Sequence, residues 1–525
     1  MSAIERRKTA HPLGEPIGDP KHFPEPHRVE TFGGPVQVSW EEDNGVSLHG
    51  PLTYFVEFLV RTGLWRKFVD ECPLTYSSPN APSKEEILGT ILFSVLSGHR
   101  RYAHITAVRS DGVLPGLLGI QQFRSEDSVR RAFQHQDEFT ITAWIDKQMA
   151  ETFEALLEQP WILDVDATVK TLYGKQEEAR VGYNPHKPGR LSHVYHAMLL
   201  TAARLVLNVD VHPGNQTASA YAQPTVWEWL KARDRKYWPA LLRGDIAYGT
   251  EEMMAGAEEL GLRYVFRLKQ SKRVTELIAK LARKESETGW RHAGQGWEAV
   301  EAELQLQGWS LQRRVVVQRR QVAQPEAGAK QTTAQLTLPG TIIENADGVW
   351  YEYGVLVTNW EQTEMLAIAQ VYRDRGDAEN LFDELKNQWG WTGFATADLM
   401  RSQLMARIVA LIFNWWSIFT RMATGGKHGE AITTRPLLQH GVARRTRHAN
   451  QERISIGSVH AKAKKAAHLL ARISAWLRQR KADAEQLRVA TPWPEILTRI
   501  YRDFAGFAFA AERVTPVGVA ANCRI

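Results

Sequence analysis

Cysteine is scarce in this chain, which has only Cys72 and Cys523 among its 525 residues. Two cysteines so far apart exclude a disulfide framework and a cysteine-based zinc site, and they fit a reducing cytosol. The first residues contain no apolar segment of the kind that a signal peptide needs. The longest apolar run lies between Arg407 and Arg421 and is interrupted by Asn414. It is too short to cross a bilayer, so we expect a buried helix in a cytoplasmic protein without a membrane partner.

Charge is unevenly distributed along the chain. The net charge is +6, and the 43% hydrophobic and 24% charged residues are ordinary for a globular protein. Residues 401–525 hold 21 lysines and arginines but only 7 acidic residues, a net charge of +14, whereas residues 1–400 carry −8. A basic tail behind an acidic remainder fits a protein that holds a polyanion with one part and cations with the other. A solvated basic helical surface is the alternative explanation.

The hydrophobic pattern divides the chain into six segments, as the length of the chain suggests. We predict an extended arm at 1–45, a helical domain at 46–155, the first part of an α/β core at 156–284, a β-rich insertion at 285–350, the second part of the core at 351–420 and a basic helical domain at 421–525. Ser83 and Ser125 are predicted to cap helices in the second segment. In the last segment, helices are predicted at 435–448 and 461–481.

The core pattern predicts a mixed sheet. A buried strand begins at Trp161 and ends in acidic residues, and two further strands near 193–213 form a hairpin-like pair. A helix near 225–233 follows, and then a strand–helix–strand unit at 241–271. This order is expected of a ribonuclease-H-like fold. We therefore predict a multidomain α/β protein whose ribonuclease-H-like mixed-sheet core carries a β-rich insertion and is flanked by helical N- and C-terminal domains.

The segment YRDRGDAENLFDELKNQW, at 372–389, is predicted to form one helix with an unusual polar face. Four of its residues stand at offsets of 0, 3, 7 and 14, within a stripe about 60° wide; they are Tyr372, Arg375, Glu379 and Lys386. A face bound for the core would be apolar, so this combination of groups favours a functional site. Asp383 lies near the stripe and is the rival carboxylate, but the register favours Glu379. A salt-bridged surface helix is the alternative.

The spacing Tyr-x2-Arg-x3-Glu-x6-Lys resembles the signature of bacterial insertion-sequence transposases of the DDE type, and it matches at all four positions. The resemblance covers roughly residues 160–420. It implies that Glu379 is the third metal-binding carboxylate of a ribonuclease-H-like core. It also implies that Tyr372, Arg375 and Lys386 contact DNA near the cut.

Acidic residues on the predicted strands are the other candidate metal ligands. Asp164 and Asp166 lie two apart on one strand, hence on one face, and Asp245 stands near the end of another strand. Asp166 is preferred to Asp164 because its DAT context resembles that of the family's first acid, although a share of Asp164 in metal binding stays open. Asp166, Asp245 and Glu379 are thus the expected catalytic residues. They would hold two Mg²⁺ ions, or Mn²⁺, about 4 Å apart.

A second match to the same transposases is the loop at 174–193, which contains GYNPHKPGR. Its candidate DNA-binding residues are Lys175, Lys187, Arg190 and His193. Cations placed just after the first catalytic strand can pair with DNA phosphates. Metal binding by His186 and His193 is the alternative. Lys269, at the end of a later strand, is a further candidate for a phosphate contact.

Base stacking is a weaker expectation. In relatives that form DNA hairpins, a flipped base stacks on an aromatic residue near the strand that leaves the insertion. The corresponding position here is Gly354, flanked by Trp350, Tyr351 and Tyr353. Tyr353 and Trp350 are therefore the candidate stacking residues, whereas the glycine leaves hairpin formation open.

The resemblance implies a transposase that binds double-stranded DNA, both the terminal inverted repeats of its element and target DNA. It would cleave by two-metal hydrolysis and join 3′ ends by transesterification, as a homodimer in a paired-end complex associated with the bacterial nucleoid. The domain at 46–155 would bind DNA ends, and the domain at 421–525 would bind DNA and contact the partner subunit. The alternatives are a ribonuclease-H-like structure-specific nuclease and a catalytically inactive, transposase-derived DNA-binding protein.

Overall fold

A computed structural model of the chain describes residues 22–40, 45–76, 78, 80–283, 289–324, 341–345, 348–449, 451–486 and 492–505. Residues 1–21 of the predicted arm and Cys523 lie outside these residues. The strands within them are β1 (His27–Thr31), β2 (Gly34–Val38), β3 (Val46–Ser47), β4 (Ile162–Thr171), β5 (Arg180–Val181), β6 (Leu191–Leu200), β7 (Leu205–Pro213), β8 (Leu241–Gly244), β9 (Tyr264–Arg267), β10 (Arg291–Gly294), β11 (Trp297–Leu304), β12 (Arg313–Gln321), β13 (Thr341–Glu344), β14 (Trp350–Thr358), β15 (Ala443–His448) and β16 (Gln451–Ile456).

The α-helices within the described residues are α1 (Leu52–Thr62), α2 (Leu64–Asp70), α3 (Lys84–Leu96), α4 (Ile105–Val108), α5 (Leu114–Leu117), α6 (Glu126–Arg131), α7 (Glu138–Phe153), α8 (Ala218–Lys231), α9 (Glu251–Glu259), α10 (Lys272–Arg283), α11 (Met365–Arg373), α12 (Gly376–Gln388), α13 (Leu399–Thr424), α14 (Ala431–Leu438), α15 (Ala463–Gln486) and α16 (Trp493–Ala505). The predicted caps are confirmed. Ser83 and Glu86 form a capping box at the start of α3, and the Ser125 side chain accepts a bond from the Ser128 N–H at the start of α6.

One large mixed sheet forms the centre of the protein. Its strand order is β10–β11–β12–β14–β9–β8–β4–β6–β5, with β13 beside β14 and β7 beside β6. β8 runs parallel to both β4 and β9, whereas β6 runs antiparallel to β4 and β7. The predicted order of three strands, a helix and a strand–helix–strand unit is present in β4, β6, β7, α8, β8, α9 and β9. The mixed α/β architecture is therefore confirmed.

The predicted β-rich insertion continues this sheet. Its strands β11 and β12 join the core through β14, which pairs with β12 on one side and with β9 on the other. Because β14 begins at Trp350, the predicted boundary between 350 and 351 falls at its first residue. The domain boundaries themselves stay predictions.

Two segments differ from their sequence-based predictions. Within the predicted extended arm, β1 and β2 pair as an antiparallel hairpin. In the predicted helix at 435–448, α14 ends at Leu438 and residues 443–448 form strand β15. The helix prediction was wrong there because β15 forms a hairpin with the adjacent β16 and also pairs, over a long sequence distance, with β3 at the start of the predicted helical domain.

The predicted buried helix is α13. By length and composition alone it could cross a membrane, but 94% of its most apolar window is buried inside the protein. Its polar side chains bond the edge of β7 that β6 leaves free. Asn414 accepts from the Val206 N–H (2.9 Å) and donates to the Val206 carbonyl (2.8 Å), and Gln403 accepts from the Val211 N–H (3.1 Å). α13 thus protects the sheet edge and fixes β7.

We expect Asn414→Leu to lower the free energy of unfolding by about 2–4 kcal/mol, because the buried N–H and carbonyl of Val206 would both lose their partner. Gln403→Leu removes one bond at a half-buried position and should cost about 1 kcal/mol. Urea unfolding of the two variants and the wild type measures both changes. Equal losses in the two variants would contradict this account of the β7 edge.

Candidate active site

The predicted single helix at 372–389 is two helices in the structure. Tyr372 lies in the last turn of α11, and Arg375 immediately precedes α12. At the break, Arg375 N bonds Tyr372 O (3.0 Å) and Ala378 N bonds Arg375 O (2.8 Å), the tighter spacing of a 3₁₀ turn. The one-helix prediction was wrong because Gly376 weakens helix formation and the Arg375 side chain is held by a distant acid. Arg375, Glu379 and Lys386 remain together at α12.

The distant acid is Asp166 on β4. Its Oδ2 lies 2.6 Å from Nη2 of Arg375, and both side chains are buried, at 14% and 5% exposure. The other terminal nitrogen of Arg375, Nη1, lies 3.7 Å from Oε1 of Glu379, which is half exposed. The guanidinium therefore stands between the carboxylates of Asp166 and Glu379 and joins β4 to α12.

Asp245 is placed beside Asp166 by the sheet register. Val165 of β4 is the partner of Gly244 of β8 in a parallel pair, so Asp166 and Asp245 follow on neighbouring strands, which are about 4.8 Å apart. The Asp245 Oδ1 accepts a bond from the Ala247 N–H at 2.9 Å. This bond fixes the carboxylate at the turn that follows β8.

The three acids act on one another electrostatically. Burial raises the pKa of the Asp166 carboxyl to about 6; Arg375 opposes this rise, whereas the negative charges of Asp245 and Glu379 add to it. The described residues nevertheless contain no group of three or more His, Cys, Asp or Glu side chains arranged to hold a metal ion. The assignment of these acids as metal ligands stays a prediction. Their chemistry fits it, because three oxygen-donor carboxylates surround a single guanidinium and Mg²⁺ prefers such ligands.

Asp164 has a structural role. It is fully buried, and both of its carboxylate oxygens lie 2.7 Å from nitrogens of Arg243 on β8. Arg243 also donates a hydrogen bond to the carbonyl of Val371 in α11. Because both oxygens of the Asp164 carboxylate are occupied by Arg243, this pairing supports the preference for Asp166 as the acid available to a ligand.

A line of cations continues along the same face of β4. Residues 166, 168 and 170 point to that face because side chains alternate along a strand. Lys386 of α12 donates to Thr168 Oγ1 at 3.3 Å. Burial, together with the positive charge of Arg101, lowers the pKa of Lys170 to about 8. Within the described part of the chain, no carboxylate pairs with Lys170, Lys386 or Arg101. Sequence analysis missed Lys170 and Arg101, although the two-residue alternation from Asp166 could have indicated Lys170.

Two glycines bring the Arg101 segment against the end of α12. A Cβ atom on Gly393 would lie 1.9 Å from the Arg100 carbonyl oxygen, and one on Gly390 would lie 2.6 Å from the His99 carbonyl oxygen. Arg100 also donates a hydrogen bond to the Asn387 carbonyl. The segment that carries Arg101 is therefore in direct main-chain contact with the turn that follows α12.

A cleft of about 160 Å³ lies beside the Arg375 guanidinium, and its lining includes Tyr372, Glu379, Arg267, Trp297 and Gly354. The buried Tyr372 hydroxyl and the buried Arg267 Nε have no hydrogen-bond partner among the described residues. A Cβ atom on Gly354 would lie 3.5 Å from the Arg267 guanidinium. The space next to Gly354 thus holds an arginine, which sequence analysis also missed, and the wall of the cleft contains two buried polar atoms without a partner among the described residues.

The loop at 174–193 is anchored by Asn184. Its buried side chain donates to Thr171 Oγ1 (2.9 Å) and accepts from the backbone N–H groups of residues 186 and 187. The predicted contact residues Lys175, Lys187 and Arg190 are exposed on this loop, as is Lys269 after β9. They are accessible to a polyanion but lie outside the acidic cluster.

Two predicted contact residues are buried instead. His193 is 1% exposed, its Nε2 lies 2.9 Å from the Glu177 carbonyl, and burial lowers its pKa. It therefore fixes the loop, and a contact between His193 and DNA stays a prediction. Tyr353 is fully buried in an edge contact with Trp290, and base stacking on Tyr353 likewise stays a prediction. Both residues lie on strands, where the side chain faces the core; Trp350, at the start of β14, is half-buried.

We expect Asp164→Ala to lower the free energy of unfolding by about 3–5 kcal/mol, because it leaves the Arg243 cation buried without a partner. Glu301→Ala is the matched control. It breaks a pair of similar two-point geometry with Arg314, in which Glu301 is 49% exposed, and it should cost less than about 1 kcal/mol. Chemical denaturation measures both values, and similar losses would refute a structural role specific to the buried pair.

A comparison with known proteins identifies the family to which this chain belongs. None of the curated proteins matches the sequence. A solved structure described as a piggyBac transposase synaptic complex with hairpin DNA is similar over 87% of this chain and 88% of that chain, with 12% identity and a TM-score of 0.37. A similarity this weak carries no argument about function. The family model for the transposase DDE domain, group 1, matches residues 35–477, and because it spans most of the sequence, the chain belongs to that transposase family.

Proposed function

We propose that this protein is the transposase of a bacterial insertion sequence. It binds the terminal inverted repeats of its element, cleaves DNA by metal-assisted hydrolysis and joins the 3′ ends to target DNA by transesterification. The observation that carries this proposal is the cluster of Asp166, Asp245 and Glu379 near Arg375. Asp166 lies within β4 where its parallel pairing with β8 ends, Asp245 directly follows β8, and Glu379 lies in the first turn of α12. Membership of the transposase family supports the same activity.

Asp166, Asp245 and Glu379 would hold two Mg²⁺ ions, or Mn²⁺. When bound, these ions would supply a lower pKa for the attacking water or 3′-hydroxyl and positive charge near the departing oxygen. Arg375 keeps Asp166 available for this role, because its charge opposes the burial that raises the Asp166 pKa. The guanidinium also holds β4 and α12 together, so that Asp166 and Glu379 face the same space.

DNA would bind across this face through its phosphates. The Tyr372 hydroxyl and the Arg267 Nε belong to residues that line the cleft beside Arg375, and both atoms are buried without a partner among the described residues. Lys386 and Lys170 extend the positive charge along β4. The exposed loop cations Lys175, Lys187 and Arg190, with Lys269, would contact the flanking duplex. A homodimer in a paired-end complex, associated with the nucleoid, would bring two such sites together.

We expect Asp166→Asn, Asp245→Asn and Glu379→Gln each to reduce Mg²⁺-dependent cleavage about 10³-fold or more, because each removes several kcal/mol of metal-assisted stabilisation. Binding to the uncut DNA end should persist. Asp383→Asn is the matched control, since Asp383 is exposed on the same helix and bonds only Asn387 among the contacts described. Gel analysis of labelled DNA ends measures cleavage, and full activity in Asp245→Asn would overturn the site.

Labelled 3′-hydroxyl ends incubated with target plasmid and Mg²⁺ test the joining step. A joined product is the expected result. Cleavage without joining would favour a structure-specific nuclease instead, and binding without cleavage would favour an inactive transposase-derived protein.

We expect Lys170→Met to reduce the slope of log affinity against log salt by about 0.9, the value for one phosphate contact. The pKa of Lys170 is lowered to about 8, so its charge is present at neutral pH and is lost as the pH rises above that value. The difference between wild type and variant should therefore shrink at higher pH. Lys231→Met, at the exposed end of α8, is the control, and titration of binding by fluorescence anisotropy is the measurement. A variant with the wild-type slope would remove Lys170 from the DNA path.

A further inference from the structure

The strands β15 and β16 form a ribbon whose two faces differ in character, with the short strand β3 paired only to the first two residues of β15. The antiparallel register pairs Arg444 with Ser455, Thr446 with Arg453, and His448 with Gln451. Since paired residues point to the same side of a sheet, these six residues form one face, which we call the outer face. All six are exposed. The outer face has two arginines, a histidine and three hydrogen-bonding side chains, and it contains no acidic residue.

The opposite, inner face attaches the ribbon to the body of the protein. Ala443 is buried, and Arg445 and Ile454, which pair with each other, are half-buried. A Cβ atom on Gly116 would lie 2.6 Å from Nη1 of Arg445, so this guanidinium packs directly on α5. The acid of the ribbon, Glu452, pairs in register with Arg447 on the inner face. The acidic and apolar side chains of the ribbon therefore lie on the inner face, on which Arg447, Glu452 and Ile456 are exposed.

The outer arginines have no counter-charge of their own. Within the described part of the chain, no ion pair involves Arg444 or Arg453, whereas arginines of the core such as Arg313 and Arg319 are paired with acids. Exposed, unpaired arginines beside threonine, serine and glutamine supply hydrogen-bond donors, and phosphate oxygens and base edges accept such hydrogen bonds. The partner that matches this combination is a polyanion with hydrogen-bonding groups.

Duplex DNA also matches the shape of the ribbon. The major groove is about 12 Å wide and admits a two-stranded β-ribbon, and six residues of antiparallel strand extend over about 20 Å. We propose that the outer face of β15–β16 binds duplex DNA, with Arg444 and Arg453 on phosphates and the polar side chains at the groove. The proposal rests on the proposed function for the identity of the polyanion. It assigns DNA binding in this region to a ribbon whose first strand, β15, lies in the segment predicted to be helical.

The test compares arginines on the two faces of the same ribbon. Arg453→Gln removes a charge from the outer face, and Arg447→Gln removes one from the inner face. Binding of the full-length variants to a short labelled duplex is measured over a range of salt concentrations, with a chelator present so that no cleavage occurs. We expect Arg453→Gln to reduce the slope of log affinity against log salt by about 0.9, and the Arg444→Gln/Arg453→Gln double variant by about twice that. Arg447→Gln should change it by less than a third as much.

Three outcomes would overturn the proposal. An Arg453→Gln variant with the wild-type slope would exclude a phosphate contact and would favour a protein partner for this face. Equal effects of Arg453→Gln and Arg447→Gln would show a general charge effect rather than a bound face. An undiminished affinity of the double variant for duplex, with unchanged thermal unfolding, would exclude the ribbon from the DNA interface.

The test also separates this proposal from the proposed function. If the wild type binds duplex but never cuts it when Mg²⁺ is restored, the proposed function fails, while the salt slopes still decide the role of the ribbon. If the wild type cuts DNA and Arg453→Gln has an unchanged slope, the proposed function stands and the ribbon proposal fails.

Discussion

The buried ion pair between Asp164 and Arg243 is the constraint on which the candidate site depends. Asp164 lies on β4, two residues before Asp166, and Arg243 lies on β8, two residues before Asp245. Arg243 also bonds the Val371 carbonyl in α11, just before the break that leads to Glu379. One guanidinium thus joins β4 and β8, which position Asp166 and Asp245, to α11, the helix that precedes the one carrying Glu379. Because an unpaired buried charge is costly, each of these elements is held in position by the other two.

A second guanidinium, that of Arg375, is part of the site itself. It lies between Asp166 and Glu379, and it partly offsets the repulsion that gathering three carboxylates creates. The two arginines act differently. Arg243 bonds both carboxylate oxygens of Asp164, so neither oxygen is left for another cation. Arg375 instead contacts one oxygen of Asp166 and one oxygen of Glu379, each through a different nitrogen. Part of each of these two carboxylates is left for another cation.

Local patterns predicted much of the fold. Hydrophobic periodicity and capping residues can be read directly from the sequence. They predicted the strand from Ile162, the hairpin of β6 and β7, and the capped helices. Asp166, Asp245 and Arg375 were picked out by their position on such elements together with the family resemblance. The clustering of their charges then follows from the parallel register of β4 and β8.

The errors arise where distant contacts decide the structure. At the helix break, Arg375 pairs with an acid 209 residues away. Strand β15 pairs with β16 and also with the distant β3, and the positive charge of Arg101 comes close to Lys170 from a distant part of the chain. The burial of His193 and Tyr353 was not predicted because composition does not reveal which face of a strand is covered. None of these features could be predicted from residue spacing within a short segment of the sequence.

The close approach at Gly390 and Gly393 has a mechanical consequence. At these glycines the main chain of the turn after α12 contacts the main chain of His99 and Arg100 directly, without a side chain between them. Changes of side-chain rotamer therefore cannot accommodate a displacement of that segment toward the turn. We expect the segment that follows α3 and the end of the helix that carries Glu379 to keep a fixed separation for this reason.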